Sequence, residues 1–130
     1  MAIAKLRFTL LSGNFAVCRL PADVLIPDGI LRSQPFVSVT RTADELSIAC
    51  REESVPPDAK AERDWKCFKL EGPISFSQTG ILASFIQPLA ESAIPVFAVS
   101  TYDTDYVLVK EGWAGKALLA LKEAGHTLVA

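Results

Sequence analysis

Two short stretches hold most of the side chains that could do chemistry. The first is Ser100-Thr101-Tyr102-Asp103-Thr104-Asp105, which gathers hydroxyls, a phenol and two carboxylates within six residues. The second is Thr79-Gly80-Ile81, directly ahead of an apolar run with helical spacing. A helix start offers unpaired backbone N–H groups and the positive end of the helix dipole, both suited to a carboxylate. Gly80 lets a ligand approach the backbone closely. Asp103 and Asp105 offer negative charge suited to an ammonium, and Ser100 and Thr101 add hydroxyls. The same residue types also serve plain structure: Asp is a favoured turn residue, Gly80 is a natural helix entry, and Tyr102 fits an exposed turn. Spacing alone leaves open whether the two stretches meet.

The elements that would position them are legible in the second half. Trp65 to Leu70 reads as a strand ending at Gly72-Pro73. Ser77-Gln78-Thr79-Gly80 opens a helix over about 81–92, where Ile81, Phe85 and Leu89 recur at helical spacing. Thr79 is the expected N-cap. Pro88 should kink this helix or split off its last turn. Val96 to Thr101 and Tyr106 to Lys110 read as buried strands joined by Asp103-Thr104-Asp105. Gly112 to Ala124 is a helix, Gly125 its left-handed stop, and Leu128-Val129 a last short strand. This is the β-α-β-β-α-β order of the ferredoxin-like motif.

The first half is poorer in helix signals. Leu6 to Leu11 and Phe15 to Leu20 are expected to pair as a hairpin across Ser12-Gly13-Asn14. Pro21, Pro27 and Gly29 leave room for only a turn or two of helix before Leu31. Phe36 to Arg41 and Glu45 to Arg51 form a second expected hairpin. Val55 to Asp64, with Pro56-Pro57 and a run of charges, reads as a surface connection between halves. At an offset of 60, Phe36-Val37-Ser38-Val39-Thr40 falls on Val96-Phe97-Ala98-Val99-Ser100, Glu45 on Asp105, and Phe8 on Phe68. Two copies of one unit account for this best. The first copy lacks a counterpart of the 81–92 helix.

Composition excludes several classes. Of 130 residues, half are hydrophobic and 22% charged, enough for a packed core and against disorder. The net charge of −2, with no basic cluster free of interleaved acids, argues against nucleic acid. No apolar run is long enough for a membrane span, and the start lacks the apolar core of a signal peptide. Cys18, Cys50 and Cys67 are odd in number and unpaired in spacing, so buried free thiols in a reducing cytoplasm are expected, with no disulfide or metal. The chain has no phosphate-binding glycine loop, nucleophile elbow or metal-spaced His/Cys set. His126, the sole histidine, reads as surface structure. No catalytic residue and no cofactor is expected. A hydrolase or transferase would need an unrecognised nucleophile at Cys18 or Cys50. Trp113 reads as packing against the sheet edge or a partner.

From Ala98 to Val109 the sequence resembles the ACT-domain proteins related to aspartokinase regulatory regions, and most of all the CASTOR-type ACT family of cytosolic arginine sensors. Thr79-Gly80-Ile81 matches that family's helix start, and Val99-Ser100-Thr101-Tyr102 its Ser-Thr-aromatic hairpin. Val37 to Thr42 and Glu45 to Ile48 resemble its N-terminal half. The resemblance implies an α+β chain of two ferredoxin-like (βαββαβ) ACT units in tandem. The first, 1–60, is degenerate with reduced helices; the second is 61–130. It also implies a ligand held where ACT units meet. The binding candidates are Gly80, Ile81, Ser100, Thr101, Tyr102, Asp103 and Asp105. The arginine sensors carry two tandem pairs and this chain one, so a composite site would need a homodimer. The expected function is therefore a non-catalytic, cytoplasmic regulatory sensor of a small, amino-acid-like ligand. The alternative is a structural or protein-interaction ACT dimer without ligand.

Overall fold

A computed structural model describes residues 4–75 and 78–129. Ser77, part of the expected helix opening, lies outside the described residues. The chain divides into two compact units, residues 1–11 with 66–130, and residues 12–65. The sequence groups residues 1–60 as the N-terminal half; in the structure residues 4–11 join the C-terminal unit.

In the unit of residues 12–65, strands β2 (Phe15–Leu20), β3 (Ser38–Arg41) and β4 (Leu46–Arg51) pair with the first part of β5 (Lys60–Leu70). The order is β3-β4-β2-β5, all neighbours antiparallel. The β3–β4 hairpin forms as expected, closed by Thr42 N–H donating to the Glu45 carbonyl at 2.9 Å. Single 3-10 turns at Ile30–Arg32 and Glu52–Ser54 stand where helices would lie. Cys18, Leu20, Ile30, Leu46, Ile48 and Cys50 form its core. Residues 60–64 are strand, not connection. Most are exposed; Lys60, Ala61 and Glu62 are held by backbone pairing with β2, Ala61 packs against the core, and the register shifts before Trp65, where Asp64 has φ 65°.

In the other unit, the later part of β5 is followed by α1 (Ile81–Glu91), β6 (Phe97–Ser100), β7 (Asp105–Lys110), α2 (Ala114–Glu123) and β8 (Thr127–Leu128). β7 pairs with β5 and β6. The N-terminal strand β1 (Arg7–Leu10) lies antiparallel to β5 and parallel to β8. The expected hairpin of β1 with β2 does not form. Phe8 takes its place over Leu70, so Ser12-Gly13-Asn14 links the two units. Phe8, Phe68 and Phe85 meet edge to face at 5.2–6.3 Å and join Leu89, Val107 and Leu121 in one core.

The three cysteines are free and buried. The Cys18 and Cys50 thiols interact, which together with burial raises the pKa of Cys50, and the same interaction lowers that of Cys18. Burial pushes the Cys67 thiol up to about 12.

Pro88 sits inside α1, buried, yet the helix runs on to Glu91 without losing its last turn. Proline lacks the N–H that would reach the Ser84 carbonyl four residues back. That carbonyl is 2.9 Å from His126 Nε2 instead. The histidine's other nitrogen, Nδ1, accepts from Leu6 N–H at 3.0 Å. This pair of bonds assigns the neutral Nε2–H tautomer. His126 is thus buried, not on the surface: it supplies the helix bond that proline cannot and ties the chain entering β1 to α1. Two part-buried polar groups depend on it. His126→Phe, which keeps the ring against Phe85, should cost about 2–4 kcal/mol in urea unfolding. In a Pro88→Ala background the helix regains its own N–H, and the cost should fall by about 1–2 kcal/mol. Strictly additive effects would contradict this coupling.

Candidate functional site

α1 is entered through Gly80, not Thr79. Gly80 is the N-cap residue with φ 75°, and among the described residues no side chain caps the helix there. A left-handed φ suits glycine, and a hypothetical Cβ would meet nothing within 4 Å. The backbone at this helix start is therefore open to an approaching group. Ser84 N–H closes the first helical bond onto Gly80 at 2.8 Å, so the N–H groups of Ile81, Leu82 and Ala83 precede the helical ladder.

The bend between β6 and β7 is tightly held. Thr101 N–H donates to the Thr104 carbonyl at 2.8 Å, and the Thr101 hydroxyl reaches the same oxygen at 3.0 Å. Thr104, buried, donates its hydroxyl to the Leu70 carbonyl at 2.8 Å. Ile74 N–H donates to the Asp103 carbonyl at 2.6 Å. The bend is thereby fastened at two points to the chain running from β5 toward α1. Gly72 lies between those points, where a Cβ would fall 2.9 Å from the Asp103 carbonyl oxygen. Only a residue without a side chain allows this approach.

The result is a cavity of about 290 Å³. Of the residues singled out from sequence, Gly80, Ile81, Ser100, Thr101, Tyr102 and Asp105 line it. Asp103 does not: its side chain is exposed, and its backbone carbonyl serves the bend. Ile74, Ser75, Gln78, Leu82, Ala83 and Thr104 complete the lining. Sequence reasoning passed over these. Thr104 was visible as a hydroxyl between two acids, but its burial depends on the distant Leu70.

Within the cavity, the Ser100 hydroxyl donates to Asp105 Oδ1 at 2.5 Å. Gln78 Oε1 accepts from Ser75 N–H at 2.8 Å, which leaves its amide N–H₂ to donate elsewhere. Tyr102 is 80% exposed at the rim. Next to Asp105, burial raises the Tyr106 phenol pKa, and Cys67 and Asp103 add to the rise. The arrangement sets donors at a helix start opposite one carboxylate. Among the described residues no group of three His, Cys, Asp or Glu could hold a metal ion. No described helix is long and apolar enough to cross a membrane.

Residues 60–123 match the ACT domain model, and a separate model for an N-terminal domain matches residues 13–58. The match places an ACT domain at residues 60–123. It is 40% identical to protein Atu0741 of Agobacterium tumefaciens, whose crystal structure aligns with a TM-score of 0.90 over 97% of this chain and 93% of that one. The ligand-free regulatory subunit of aspartate kinase from Thermus thermophilus shares the fold: TM-score 0.62, 14% identity, covering 93% of this chain and 99% of that one. The cytosolic arginine sensor for mTORC1 subunit 1 of Bos taurus is 33% identical over 87 residues, 58% of this chain. This chain spans 26% of that relative's length.

Thr104→Val removes the hydroxyl from Leu70 and should cost about 1–2 kcal/mol in chemical denaturation. Gly72→Ala should displace the bend from the Ile74 segment. Its amide resonances in residues 100–105 should shift while those of β3 and β4 stay in place. Unchanged bend resonances would contradict the clamp.

Proposed function

We propose that this cavity binds a small amino-acid-like ligand and that the chain acts as a non-catalytic regulatory or sensor protein. One observation carries the reading: the start of α1 and the carboxylate of Asp105 line the same cavity. A ligand carboxylate would take the N–H groups at the helix start. A ligand ammonium would take Asp105, with Ser100 fixing that carboxylate's orientation. Thr101 and Tyr102 would close the rim.

The relatives support a regulatory role. One is an arginine sensor and another a regulatory subunit of a kinase, and the chain matches them in ACT sequence or fold, not in a catalytic domain. We read the two compact units as tandem ACT units of the CASTOR type. The 12–65 unit runs strand, 3-10 turn, strand, strand, 3-10 turn, strand, the ferredoxin-like order with its helices reduced to single turns. Among the described residues β6 pairs with β7 alone, which leaves an open edge. That edge suits pairing with a second copy, so we propose a homodimer, working in the cytoplasm.

A ligand that binds only the folded form stabilises it by mass action. A thermal-shift screen of the common amino acids and nucleobases should find at least one that raises Tm by roughly 10 °C at about 100 times its Kd. Asp105→Ala should abolish the shift while keeping the circular dichroism spectrum. No shift at millimolar ligand would favour the competing reading, an ACT dimer serving structure or protein interaction without ligand.

A further inference from the structure

We propose that the cavity selects α-amino acids whose side chains carry no charge. This narrows the reading above and rests on it. Among the described lining residues Asp105 is the one carboxylate, and there is no Lys, Arg or His. The rest of the wall is neutral: Ile74, Ile81, Leu82 and Ala83 on the apolar side, Gln78 and Thr104 among the polar groups. The only other acid of the bend, Asp103, stands outside the lining with its side chain exposed.

A zwitterion brings one positive and one negative group. Asp105 answers the ammonium: Ser100 takes Oδ1, which leaves Oδ2 to accept. The helix-start N–H groups and the Gln78 amide answer the carboxylate. Both formal charges of the backbone portion are then matched, and the described lining residues of this chain offer no third charge. A guanidinium or a lysine ammonium would need a second carboxylate, and an aspartate or glutamate side chain would need a cation. Desolvating either without a partner is unfavourable. A neutral side chain would instead lie against Ile74, Ile81 and Leu82, exchanging water for apolar surface. At about 290 Å³ the space is at the lower end of ligand cavities, which also fits a small guest. The chain's 33% identity to an arginine sensor would then go with a different ligand.

Isothermal titration calorimetry of the full chain at pH 7 decides this. The panel is leucine, isoleucine, valine, threonine and alanine against arginine, lysine, aspartate and glutamate. At least one neutral amino acid should bind about tenfold or more tighter than every charged one. Asp105→Asn, which keeps an acceptor for Ser100, should weaken that ligand by about tenfold or more. A charged amino acid binding as tightly as the best neutral one would overturn this selectivity and leave the amino-acid reading standing. Unchanged affinity in Asp105→Asn would overturn the assignment of the ammonium. Heat from none of the nine would overturn the amino-acid reading itself, and this inference with it.

Discussion

The Thr104 hydroxyl donates to the carbonyl of Leu70, across 34 residues of sequence, in a place water does not reach. A buried carbonyl left without a partner is costly, so this bond fixes where the β6–β7 bend can sit. The Ile74 amide, bonded to the Asp103 carbonyl, sets its rotation. Gly72 keeps the space between them clear. With the bend so held, Ser100 and Asp105 have no freedom to drift from the start of α1. The cavity forms because two backbone segments are stitched together by backbone and hydroxyl, without drawing on the carboxylate of Asp105.

The opposite wall of the cavity is the first turn of α1, and it has its own anchor. Pro88 breaks the helix ladder at Ser84, and His126 mends it while holding Leu6. The same Ser84 accepts from Ala4 N–H through its hydroxyl. The chain leading into β1, α1 and the turn after α2 therefore meet at one residue. Phe85, the next residue along, lies against both the His126 ring and Phe8. Helix placement and core packing are thus one event, and the cavity wall inherits their rigidity.

Local signals in the sequence carried the local structure. The i, i+4 recurrence of Ile81, Phe85 and Leu89 yields α1, and the Thr42 to Asp44 turn yields the β3–β4 hairpin. What failed was competition at a distance. Ser12-Gly13-Asn14 has good turn chemistry, but β1 finds a better apolar partner in the second part of β5 than in β2. Residues 60–64 carry too much charge to read as strand: Ala61 alone of them packs against the core, and the pairing with β2 is through backbone. His126 looked like a surface residue after a helix stop, because its partners lie 42 and 120 residues away. The site divides in the same manner. Both stretches stand out by residue type and by family resemblance. Their convergence, and the exclusion of Asp103 from the lining, depend on Thr104, Leu70 and Ile74, which no spacing rule connects.

The central claim is that the helix start and the acidic bend act as one binding site. Titrating the ¹⁵N-labelled chain with an amino acid that binds it, and following backbone amides by NMR, tests this directly. The account predicts that amides of residues 80–83 and 100–105 shift together, along curves that fit a single Kd. Shifts confined to one of the two segments, or centred on another part of the chain, would contradict it.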